Sequence, residues 1–181
     1  MNAISKIAIL LSIAVCSSSC IKEKLEETYN KQDEQIDKYI TGLLEKNESY
    51  TATYNDGVSR LTTKVGEGPE LSSNGSISFY YAGYTFGGSI SNSNLFVTNH
   101  EPSATAAGWT LTEDEAKALT INMNDYRLLP GLKSGLTGVK GGEECQILFT
   151  GKYGFGNKAF GTIPANSALV YKIWVESISN D

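Results

Sequence analysis

The residue types that most often carry chemistry are scarce in this chain. Its 181 residues hold one histidine, His100, and three cysteines, Cys16, Cys20 and Cys145. These counts argue against zinc fingers, histidine-based metal sites, a disulfide framework and CxxC redox pairs. A Ser-His-Asp triad could run only through His100, which lies in a Pro/Ser/Ala stretch with no GxSxG near it. No metal and no cofactor are therefore expected. Aromatics and glycine are plentiful instead, with 10 Tyr, 6 Phe and 18 Gly. Twenty acidic against fifteen basic residues give a net charge of −5 without a basic stripe, so nucleic acid is not an expected partner.

The elements that must position any site begin after a leader. Lys6 precedes an apolar run over residues 7–15, too short for a bilayer-spanning helix and suited to the hydrophobic region of a signal peptide. Ser17-Ser18-Ser19-Cys20 follows, and it resembles the lipobox of bacterial lipoproteins, in which the signal is cut before a cysteine that carries lipid. Cys16 is the rival, but it follows the larger Val15. The expectation is a signal peptide over residues 1–19 and a lipid on Cys20. That implies a cell-envelope protein anchored to a membrane through its N-terminal lipid.

Residues 20–49 form the next segment. Charged residues crowd it, and Leu25, Tyr29, Gln32, Ile36, Tyr39/Ile40 and Leu43/Leu44 recur at helical spacing. This predicts an amphipathic helix that docks on the domain or spaces it from the membrane, with Gln32 interrupting its stripe. Residues 50–181 form the body, which is expected to fold without the helix. There, strands are predicted at residues 58–65, 76–84, 95–98, 119–123, 145–149 and 169–178 from alternation and turn residues. Thr112 to Glu115 reads as a helix-starting capping box, and Pro130 with Leu132 and Leu136 as a short helix. The unpaired Cys145 reads as a small buried hydrophobe. The class is α+β.

Two clusters carry a more specific signal. One is Leu128-Leu129-Pro130-Gly131-Leu132, continuing to Gly141-Gly142-Glu143. The other is Tyr153-Gly154, then Gly161-Thr162-Ile163-Pro164, then Asn166 to Tyr171. In order and spacing they resemble the C-terminal half of FKBP-type peptidyl-prolyl isomerases. Gly57-Val58, Gly66-Glu67-Gly68 and Tyr80-Tyr81-Ala82-Gly83 match the first strands more loosely. The resemblance implies a half-open antiparallel sheet wrapped around the helix at Pro130, an N-terminal amphipathic helix being added to it. It also implies prolyl isomerisation of proline-containing polypeptide segments among exported proteins.

By the same resemblance, Tyr81, Phe96, Leu128, Leu129, Leu132, Ile163 and Tyr171 would line a proline pocket. The Leu129 N–H would bond the substrate, and the Tyr153 hydroxyl would donate to its carbonyl. Val97 stands where the family has aspartate; an alternative register puts Ile90-Ser91 there. The missing acid predicts a weak isomerase, or alternatively a decayed binding module. Turning an X-Pro bond crosses a barrier of about 18–20 kcal/mol and needs no proton transfer, which suits a chain poor in histidine and rich in aromatics.

Overall fold

The computed structural model describes residues 21–55 and 57–181. The signal peptide expected over residues 1–19, with Cys16 and Cys20, lies outside the described residues. Helix α1 (Ala3–Leu44) enters this range at Ile21 and is followed by β1 (Thr51–Asn55), β2 (Val58–Lys64), β3 (Ser76–Phe86) and β4 (Leu95–Thr98). Then come α2 (Glu101–Ala106), β5 (Leu119–Asn122), α3 (Pro130–Leu136), β6 (Glu144–Phe149) and β7 (Ala168–Ser179). All seven strands join one antiparallel sheet in the order β1-β2-β6-β7-β3-β4, with β5 also paired to β3. The fold is the expected α+β class, an open sheet curved around a short helix.

Alternation along the strands divides the core in two. Leu169, Tyr171, Ile173 and Val175 of β7 join Ile147 and Phe149 of β6 and Ile77 and Phe79 of β3 on the face that holds α3. Ala168 and Val170, Leu148, and Ala82, Tyr84 and Phe86 point to the opposite face. Cys145 is buried in the first core as a free thiol, and desolvation pushes its pKa up. Helix α3 lies directly on β6 because Gly131 and Gly135, one turn apart, present no side chain to it. A methyl on either would run into Phe149 or Ile147.

The predicted stripe of α1 faces the second core. Ile36 and Ile40 are buried there among Leu61, Tyr84 and Leu148, while Tyr39 packs edge-on against Phe86 and donates from its hydroxyl to Gln146 at 2.9 Å. The helix is thus docked, not a free spacer. Gln32, the break in the stripe, donates from Nε2 to the Asn166 carbonyl at 2.6 Å and accepts from the Gly151 N–H at 3.0 Å. No helix among the described residues is long and apolar enough to cross a membrane.

One local expectation differs from the structure, and two elements lie where the sequence predicts none. Thr112 and Glu115 do make the reciprocal capping bonds, at 2.8 and 3.3 Å, but they close a turn and no helix follows. The helix in that insertion is α2, just after His100, with Pro102 in its first turn. β1, an exposed edge strand, carries no sequence signal because only Ala52 of Thr51–Asn55 packs against the core.

Candidate active site

The sheet curls around α3 and leaves a cavity of about 570 Å³ on its concave side. Tyr81, Phe96, Val97, Leu128, Leu129, Leu132, Ile163 and Tyr171 all line it, from β3, β4, the turn before α3, α3 itself, the loop before β7, and β7. Phe96 and Val97 stand at the wall, whereas Ile90 packs in the second core; this decides the register between the two alternatives. Leu132 reaches the pocket because α3 starts at Pro130, which fixes the first turn. Among the described residues the Leu129 N–H has no hydrogen-bond partner, so it is available to a ligand.

Tyr153 is the exception: it is not among the lining residues. It closes the short turn Gly151–Tyr153, with its ring packed over the backbone at Gly57, and Lys152 Nζ lies 5.4 Å from the ring centroid. The aromatic that faces the cavity is Phe155, two residues on, stacked on Phe160 with ring centroids 4.8 Å apart. The wall therefore carries a phenyl ring where the sequence resemblance led one to expect a phenol. Phe79, Leu119 and Arg127 also line the cavity without having been anticipated. Phe79 was readable, since it shares the face of Tyr81 in an alternating strand. Leu119 and Arg127 carry no such signal.

The cavity is apolar, and its few polar groups are constrained. Arg127 sits at the rim, where Asp125 holds its guanidinium at 2.6 and 3.0 Å. Those bonds pull the Asp125 carboxyl down to about 2, so the pair stays charged through the ordinary pH range. Burial raises the pKa of both Tyr81 and Tyr171, so both phenols stay protonated. Asn99, buried where β4 ends, accepts from the Tyr81 N–H at 2.6 Å and donates to the carbonyls of Phe79 and Lys117. One amide side chain thereby fills the gap between β4 and β5 along the edge of β3 and fixes the strand that bears two pocket aromatics.

A second polar strut sets α3. Arg60 donates to the carbonyls of Gly135 and Thr137 at 3.0 and 2.7 Å and lies beside the buried Glu143, which accepts from Thr62 and from the Lys140 N–H. The end of α3 is thus tied to β2 and to the turn before β6.

The family model for FKBP-type peptidyl-prolyl cis-trans isomerases matches residues 68–176. The chain belongs to this family. It is 28% identical over 117 residues to FK506-binding protein 1 of Aspergillus oryzae, covering 65% of this chain and 94% of that protein. FkpA from Escherichia coli has a similar fold, with a TM-score of 0.59 at 15% identity over 99% of this chain and 74% of that one. A peptidyl-prolyl cis-trans isomerase of Pseudomonas syringae pv. tomato gives a TM-score of 0.57 at 15% identity, over 86% and 96%. As an FKBP-type domain, the molecule places its concavity between α3 and the inner face of the sheet.

Proposed function

We propose that this protein is a prolyl isomerase of modest rate that serves exported proteins from a lipid anchor on Cys20. The observation that carries the reading is the apolar concavity into which Tyr81, Leu129, Leu132, Ile163 and Tyr171 converge. A proline ring seated over Leu132 would be shielded from water. The free Leu129 N–H would hold the neighbouring carbonyl, and a dry aromatic wall favours the twisted, less polar amide over the planar one. The chemistry asks for no proton transfer, metal or covalent intermediate.

Modest rate follows from Val97 and Phe155, which present methyl groups and a phenyl ring where the family resemblance implies an acid and a hydroxyl. Each absent polar contact of ordinary strength costs about tenfold in rate. The same two residues favour a second reading, a binding module for proline-containing segments that no longer turns them over. The test is a proline-isomerisation assay on the soluble chain from Lys22 onward, with the residue before proline varied. Weak catalysis is expected, raised up to about tenfold by Val97→Asp through one charge-assisted contact. If both chains match the uncatalysed rate while folded, the isomerase reading fails and the binding module is preferred.

The anchor rests on the apolar run before Cys20 and its run of serines. Cys20→Ala should leave the protein soluble or unprocessed, as read by membrane fractionation. If Cys16→Ala does this and Cys20→Ala does not, the lipid is on Cys16.

A further inference from the structure

We infer that the Tyr171 hydroxyl is the hydrogen-bond donor this pocket presents to the amide being turned. The inference rests on the isomerase reading of the cavity. Val97, Gly83 and Tyr171 form one row across β4, β3 and β7, for Gly83 is the register partner of both others. The middle member has no side chain, and the tyrosine ring fills its place. Tyr171 Cε1 and Val97 Cγ1 lie 2.8 and 2.9 Å from the point that a side chain on Gly83 would occupy. The phenol edge of Tyr171 therefore borders Val97. A residue with any side chain at position 83 would push the two apart.

The ring is held rigidly in this pose. It packs edge-on against Phe96 and stacks on Phe149, with centroids 5.8 and 6.1 Å away. Its hydroxyl has no hydrogen-bond partner among the described residues, although only 5% of the residue is exposed. Among the described residues, Arg60 Nε alone is a fully enclosed side-chain nitrogen or oxygen without a partner. The Tyr171 oxygen is therefore not fully enclosed, and the residue lines the cavity. An unpartnered donor in a dry site is costly to leave unmatched, so a ligand that supplies an acceptor is favoured there. Twisting the X-Pro bond breaks amide resonance and restores the nitrogen lone pair, an acceptor the planar amide lacks. A phenol beside it strengthens its contact as the barrier is climbed, the condition for acceleration.

The test compares wild type and Tyr171→Phe on a tetrapeptide with leucine before proline. Tyr171→Phe keeps the ring and its packing, and circular dichroism checks the fold. It should lower kcat/KM about tenfold. Unchanged kcat/KM in Tyr171→Phe overturns the inference. A second readout does not need turnover. In protein labelled at the tyrosine ζ-carbon, the signal absent from Tyr171→Phe should move when the peptide is added. If wild type binds the peptide without turning it over, the isomerase reading falls, and a Tyr171 signal that stays still then overturns this inference too.

Discussion

A hydroxyl counts for most where water is excluded, and the two aromatics at 153 and 155 show how much depends on which one faces the cavity. Tyr153→Phe removes an oxygen that lies over Gly57 and outside the pocket lining. It should leave kcat/KM within about twofold. Phe155→Tyr places a phenol in the pocket wall and should raise kcat/KM, by up to about tenfold if the new donor reaches the substrate carbonyl. A fall with Tyr153→Phe as large as the rise with Phe155→Tyr would mean that Tyr153 swings inward when substrate binds. Tyr153-Gly154-Phe155-Gly156 repeats an aromatic-glycine step, so a Tyr-Gly motif fits the chain in two registers. Only the turn Gly151–Tyr153 decides between them, and nothing local in the sequence specifies how that turn ends. The other expected pocket residues were legible through the family resemblance, which matches Tyr81 and Tyr171 on alternating strands, Leu128, Leu129 and Leu132 around Pro130, and Ile163 in its Gly-Thr-Ile-Pro step, whereas Leu119 and Arg127 fall in no motif.

Among the elements, α3 has the tightest seat. Gly135→Ala drives a methyl into Ile147 across a helix–sheet contact that has no slack. Overpacking of this kind costs about 1–3 kcal/mol, and thermal melts should show a lowered Tm. Because α3 also carries Leu132, peptide affinity should weaken alongside. The insertion between β4 and β5 is the least legible stretch: its capping box predicts a helix start, and the chain makes the box's bonds without the helix. The box satisfies two backbone groups wherever it occurs, but a helix needs a stripe to bury, and residues 113–118 lack one. His100, at the start of that insertion, stacks on Trp174 with centroids 3.7 Å apart and touches Tyr80 edge-on. Burial lowers its pKa below the ordinary 6.5, outweighing the opposing pull of Glu144. In acid the unfolded chain therefore takes up this proton more readily than the folded one. The stabilising share is intact above pH 6.5 and is lost as the pH falls through the lower folded value. His100→Gln should flatten the decline in Tm below neutrality relative to wild type, and parallel declines would assign it to other groups.

For the whole molecule, the docked helix changes what the body can do alone. Composition separates the charged segment from the glycine-rich body near Tyr50, and composition is blind to which sheet face needs a cover. Ile40→Ala should cost about 2–5 kcal/mol, as for any truncated core aliphatic. A chain starting at Glu48, which the composition suggests would fold alone, exposes Leu61, Tyr84 and Leu148 and should bind a hydrophobic dye and melt over a broad range. A sharp, dye-free transition would show that the body needs no cover. Gln32 adds a further consequence. Its amide joins Gly151 to Asn166, in the turn before Phe155 and the loop after Ile163, while Tyr29 also donates to Asn166 at 3.0 Å. The rim that would grip proline has its footing on the helix. On warming, a helix that lifts from its N-terminal side loosens this grip before a single strand unzips. Turnover should then fade at temperatures where the far-ultraviolet signal of the sheet is still intact. Coincident midpoints for rate and melting would place the footing in the sheet instead, and Gln32→Ala should widen the interval between the two curves by slackening the rim at every temperature.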